Sequence, residues 1–211
     1  MNDESYIIKD WAITTVPRVG SHYLQERIFQ HTGKLIVKYH EPKPQTWGYA
    51  IKGLLNRNNR FWSGLEVDKL KMITIVRDPK DLLTSHIALS IKQKDTRFVM
   101  DDDFSLNLDN IKGLIDKSCE QYIELEKIST IVIGYDQLVS FPFEVTLAVA
   151  NILGIDIITD KYETRLEDSA GYSVSSKELP QYNDIKNLIN DMDLSDFYQA
   201  YNKILSRVIT L

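Results

Sequence analysis

With 211 residues, 43% hydrophobic and 26% charged, the chain has enough apolar material for one packed core and is read as a single unit, residues 1–211. Its formal charge of −5 argues against broad nucleic-acid or membrane-surface binding, yet leaves room for a local cluster of donors that holds a small polyanion. One cysteine, Cys119, excludes a disulfide framework and a cysteine metal site; no apolar run reaches the roughly 20 residues of a membrane span, and Met1–Asp10 is acidic and polar, so a cytoplasmic protein is expected.

The elements alternate between strand and helix. Trp11–Val16 is a short apolar, β-branched run that ends in a Pro17–Gly20 turn, the pattern of a buried strand. Tyr23, Leu24, Arg27, Ile28 and His31 then recur at helical spacing, with Gly33 as the stop. Leu35–Tyr39 reads as a second strand, opening into a loop at His40, Glu41 and Pro42, and Met72–Val76 as a third. Asp78 is placed as an N-cap, with Pro79 at the first helical position. Leu108–Ile128 predicts a helix and Thr130–Ile133 a fourth strand. After Pro142, residues Val145, Ala148, Val149, Ile152 and Leu153 share one helical face before Gly154. A loop is expected over Tyr162–Pro180 and a C-terminal helix over Ser195–Val208. Together these predict an α/β three-layer sandwich around a mainly parallel sheet of four to five strands, P-loop NTPase-like in kind. Such sheets bind ligands beyond the carboxyl ends of their strands, where the polar motifs of this chain fall.

The first of these motifs is T-T-V-P-R-V-G-S-H-Y-L, Thr14–Leu24. A glycine turn that enters a helix offers backbone N–H groups and the positive end of the helix dipole to a phosphate or sulfate. Arg18, Ser21 and His22 add side-chain donors. The segment lacks the Walker lysine and the magnesium-binding hydroxyl, which disfavours ATP or GTP hydrolysis. His31 and His86 have no partners at metal-ligand spacing, so no metal is expected.

Four segments, taken in order, resemble the sulfotransferases that use 3′-phosphoadenosine 5′-phosphosulfate (PAPS). P-R-V-G-S-H-Y-L, Pro17–Leu24, is similar to the family's 5′-phosphosulfate loop, P-[KR]-[ST]-G-[ST]-[ST]-[WLY]-L, with Val19 and His22 as departures. I-V-R-D-P-K-D-L-L-T-S, Ile75–Ser85, resembles the 3′-phosphate motif, in which an arginine ending a strand and a serine eight positions later grip that phosphate; Arg77 and Ser85 have this spacing. I-V-I-G-Y-D-Q-L-V-S-F-P, Ile131–Pro142, is similar to the family's strand, Y-E-D-L and proline-started helix, with Tyr135 in the matching place. V-K-Y-H-E-P, Val37–Pro42, resembles the K-T-H segment that carries the catalytic histidine.

The resemblance implies sulfuryl transfer from PAPS to a hydroxyl or amine of a small molecule or glycan, leaving 3′-phosphoadenosine 5′-phosphate (PAP), with no metal in the transfer step. It gives Arg18 the place of the loop cation and Lys38 that of a second cation near the leaving oxygen. His40 becomes the general base, with Glu41 as the competing candidate. The nucleotide would lie against Pro17, Val19, Gly20, Ser21, His22 and Tyr23, with Arg77 and Ser85 on its 3′-phosphate and Tyr135 beside its base. The family's C-terminal basic segment has no clean copy, and Lys177 in S-V-S-S-K is the nearest candidate. Two alternatives stay open: an atypical P-loop kinase, and a non-catalytic relative that binds PAP. The acceptor and the oligomeric state are not readable from the residues.

Overall fold

The structure, a computed structural model, describes residues 7–39, 69–92, 106–158 and 181–211. Strand β1 (Ile7–Thr14) is central, with β2 (Leu35–Tyr39) on one edge and β3 (Lys71–Val76) on the other; β4 (Ser129–Gly134) continues the sheet beyond β3. All pairings are parallel, in the order β2-β1-β3-β4, and Ile13 of β1 sits in register with Lys38 of β2 and Ile73 of β3. Parallel strands covered on both faces read as near-continuous apolar runs. Ile13, Ile73, Ile75 and Ile133 accordingly have no solvent exposure.

From β1 the chain moves one way to reach β2, and β3 then pairs with the opposite edge of β1. Because parallel crossovers are right-handed, the connections in the two directions lie on opposite faces of the sheet. Helix α1 (Ser21–Thr32) takes one face; α2 (Pro79–Lys92) and α3 (Leu108–Ile128) take the other. A short α4 (Tyr135–Ser140) follows β4 without a break, α5 (Pro142–Leu153) packs on α1, α6 (Tyr182–Asp191) on α2, and α7 (Ser195–Leu205) on α3. The reversal of direction at β1 opens a crevice between the carboxyl ends of β1 and β3, the usual ligand position in such folds. Among the described residues no helix is long and apolar enough to cross a membrane.

The helix ends are set by local chemistry. Asp78 Oδ1 accepts from the backbone N–H of Lys80 (2.9 Å) and of Asp81 (3.2 Å), capping α2. The Asn107 side chain accepts from Asn110 N–H at 3.1 Å to start α3. Gly33, with φ 65°, closes α1 by donating to Phe29 O at 2.8 Å.

Several boundaries differ from the sequence expectation. β1 begins four residues before Trp11 and ends at Thr14, because a register shift between Ile8 and Ala12 breaks the apolar pattern at the exposed Lys9 and Asp10. Thr15 and Val16 are buried but leave the ladder as the chain bends toward Pro17. The helix from Ser195 stops at Leu205, and Val208 instead forms a bridge to Val132. On α5 the buried face is Val145, Thr146, Val149 and Ala150, while Ile152 is exposed. Cys119 is half-buried at the edge of the core.

Candidate active site

The turn after β1 is built on two residues in left-handed backbone, Arg18 at φ 72° and Gly20 at φ 83°. Glycine adopts this conformation freely, whereas a residue with a Cβ loses about 1 kcal/mol or more there. Gly20 has a second reason: a Cβ would lie 3.3 Å from Leu138 Cδ2 and 3.4 Å from Tyr135 Cε2, so its bareness lets α4 close against the turn. Arg18 is held in its strained state by two long-range bonds. Its carbonyl accepts from Arg77 Nη1 at 2.9 Å, and its Nε donates to Ser85 Oγ at 3.3 Å.

Helix α1 starts directly from this turn. Its N-cap, Gly20, has no side chain to cap the first N–H groups, and no acidic residue occupies its first turn, so the positive end of its dipole faces the crevice. In front of it lies a cavity of about 400 Å³. Its walls are Pro17, Arg18, Gly20, Ser21, His22 and Tyr23 from the turn and α1, Arg77 from the end of β3, Tyr135 from α4, and His86, Leu89 and Ser90 from α2.

Arg77 is fixed at both ends. The Tyr122 hydroxyl on α3 accepts from Arg77 N–H at 2.9 Å and donates to Arg77 C=O at 2.8 Å. The guanidinium lies 4.3 Å over the Tyr135 ring, and among the described residues its buried Nε has no hydrogen-bond partner. Lys38 on β2 is the second cation of this kind: among the described residues its buried Nζ has no partner, and burial pulls its pKa down to about 8. The Thr15 hydroxyl, just past the carboxyl end of β1, is likewise buried with no partner among the described residues. His22 titrates below the usual histidine range, first because it is partly buried and second because the Lys38 charge is near. Buried donors in this condition favour a multiply charged anion, which would supply the missing acceptors and restore full charge to Lys38.

Of the residues singled out from the sequence, Pro17, Arg18, Gly20, Ser21, His22, Tyr23, Arg77 and Tyr135 meet around one cavity. Ser85 is 1% exposed and stands behind it as the Arg18 partner, not on a solvent-facing helix position. The Val19 side chain is fully buried in the core, so only its backbone faces the turn. Tyr23 is 40% exposed at the rim, with the Arg27 guanidinium 5.9 Å over its ring. His40, Glu41 and Lys177 lie outside the described residues.

Sequence reasoning missed His86, Leu89 and Ser90, although their offsets of one, four and five from Ser85 place them on a shared helical face. It also missed Tyr122 and Tyr198, whose partners are 45 and 120 residues away along the chain. No short-range pattern signals them. Among the described residues no group of three or more His, Cys, Asp or Glu could hold a metal ion.

The profile of the sulfotransferase domain matches residues 60–200, more than half of the 211-residue chain, and the chain belongs to that family. The matched span includes Arg77, Ser85 and Tyr135 but begins after the Thr14–Leu24 turn and Lys38. One solved structure that it resembles is the mouse sulfotransferase SULT7A1 complexed with PAP. The two share 12% identity over 96% of this chain and 91% of the other, with a TM-score of 0.45. Among curated proteins none matches the chain.

Proposed function

We propose that the chain transfers a sulfuryl group from PAPS to a hydroxyl or amine of a small molecule or glycan, releasing PAP. The observation that carries this reading is the pair of buried cationic donors, Arg77 Nε and Lys38 Nζ, with no partner among the described residues, near a helix N-terminus that Gly20 leaves without a side-chain cap. A fold leaves such donors unsatisfied at a cost of about 1–3 kcal/mol each, which a bound polyanion offsets.

PAPS supplies an activated sulfuryl group with a good phosphate leaving group. Everything else is positioning and charge stabilisation by the protein. The α1 N-terminus, with Ser21 and His22, holds a phosphate by N–H and side-chain donors, and Arg77 holds another through its planar fork. Tyr23 and Tyr135 offer aromatic faces to the base. Arg18, locked by Ser85 and Arg77, and Lys38 provide positive charge where negative charge grows on the leaving phosphate oxygen. His40, just past the last residue of β2, is the general base for the acceptor proton, with Glu41 as the alternative and Lys177 as a further phosphate ligand. The chain acts as one domain in this reading.

Calorimetric titration with PAP, AMP and magnesium ATP, on wild type and Arg77→Ala, tests the donor assignment. PAP alone should bind, and Arg77→Ala should weaken it on the order of 10- to 100-fold, the worth of a charge-assisted bidentate contact. Magnesium ATP binding without PAP binding would return the cavity to the kinase alternative. PAP binding without turnover of PAPS on any acceptor would leave a binding protein.

A further inference from the structure

We infer that two tyrosine hydroxyls behind the cavity, Tyr122 on α3 and Tyr198 on α7, are positioning residues for Arg77 and set the strength of anion binding through it. The inference rests on the anion site proposed above. Arg77 follows the last ladder residue of β3, Val76, so the sheet no longer fixes its peptide groups. Tyr122 does so instead: one hydroxyl accepts from the N–H and donates to the C=O of the same residue, at 2.9 and 2.8 Å. The Tyr122 ring is fully buried and edge-on to Phe197, with ring centroids 5.0 Å apart. A phenylalanine would pack as well. The oxygen is therefore needed for its bonds, since a buried hydroxyl is otherwise unfavourable.

The next residue is held in the same way from α7. Asp78 Oδ2 accepts from Tyr198 Oη at 2.9 Å, while Oδ1 caps α2. Two distant helices thus grip consecutive residues of one turn. From that turn the Arg77 side chain reaches forward to stack on Tyr135, and its Nη1 reaches the Arg18 carbonyl, which holds the left-handed turn at the start of α1. Loosening the Arg77 peptide should therefore spread the guanidinium over several positions and release the Arg18 turn with it.

The test is PAP affinity by calorimetry on the full chain, with thermal melts alongside, for Tyr122→Phe, Tyr198→Phe and Arg77→Ala. Tyr122→Phe is expected to weaken PAP roughly tenfold and Tyr198→Phe severalfold. In an Arg77→Ala background neither substitution should weaken it further, a non-additivity that a merely structural role would not produce. Phe197→Leu, which disturbs the same packing but leaves both hydroxyls, should lower the melting temperature and leave PAP affinity within twofold. Equal PAP affinity in wild type and both tyrosine variants overturns the positioning role, as does an identical loss with and without Arg77. If Tyr122→Phe does not fold, Tyr198→Phe decides on the same criteria. Absence of PAP binding in wild type instead overturns the proposed function itself, before any substitution is made.

Discussion

Lys38→Met should stabilise the free protein at neutral pH while weakening PAP. Methionine fills nearly the same volume without the ammonium, so the desolvation of Nζ is removed and the packing of the stem is kept. The Lys38 pKa is about 8 in the fold against an ordinary 10.5, so between those values the unfolded chain binds more protons than the native one and stability rises with pH. The wild-type deficit is therefore full below about pH 8 and gone above about pH 10.5. At full burial that gap would correspond to about 3 kcal/mol. Lys38 is only half-buried as a residue, and solvent screening reduces the expected gain to on the order of 1 kcal/mol. Urea denaturation of both proteins at pH 7 and pH 10 reads the difference directly, because other titrations cancel in the comparison. The His22 proton signals report the same charge: removing Lys38 should raise the His22 pKa, while burial keeps it below the usual value. PAP should bind wild type near pH 8 with proton uptake, seen as a dependence of binding heat on buffer ionisation, and that uptake should vanish in the variant. A Lys38→Met protein that is less stable at pH 7, or whose difference from wild type is the same at pH 7 and pH 10, would refute the picture of a desolvated cation awaiting an anion.

Two substitutions probe the turns. Gly20→Ala places a Cβ in left-handed backbone at φ 83°, within 3.3 Å of Leu138, and should cost about 1–2 kcal/mol in chemical denaturation together with weaker PAP binding. Asp78→Ala removes the cap of α2 and the acceptor for Tyr198, and should lower stability by about 1 kcal/mol, a fall of about 2–4 °C in melting temperature by calorimetry.

The parts of this architecture that were legible in the sequence are those governed by local rules. β2 and α3 have the bounds expected from their apolar periodicity, and the stops at Gly33 and Gly154 follow from glycine's tolerance of positive φ. Arg18 and Arg77 meet at one crevice because each follows a strand and the two strands are neighbours, which a parallel α/β reading implies. What escaped was non-local or contrary to a simple pattern. α4 is a six-residue helix that begins directly at the end of β4, with Gln137 accepting from Gly134 N–H at 3.3 Å and donating to Ile209 O at 3.1 Å; those contacts come from folding, not from periodicity. Ile152 reads as core by helical spacing but is turned outward, since α5 buries the Val145, Thr146, Val149 and Ala150 stripe. The Tyr122 hydroxyl is invisible to any window shorter than the 45 residues that separate it from Arg77.

The distribution of satisfied and unsatisfied groups separates the core from the site. Away from the crevice, buried hydroxyls are paired: Ser129 Oγ with Thr74 Oγ1 at 2.6 Å, Thr32 with Ile28 O at 2.6 Å, Thr146 with Pro142 O at 2.7 Å. Each has its partner, as buried polar groups in native structures do. Among the described residues, buried donor atoms without a partner include Thr15 Oγ1 just past β1, Lys38 Nζ on β2 and Arg77 Nε just past β3, at the carboxyl ends of three adjacent strands; Arg27 Nε on α1 is another. A single unpaired donor is an ordinary imperfection. Three on adjacent strands, beside a left-handed arginine pinned by Ser85 and Arg77, cost stability at every member, which is what the proposed receptor for negative charge would require. The stability of the free protein and its hold on an anion should therefore move in opposite directions when Lys38 is neutralised, and together when the glycine of the turn is replaced.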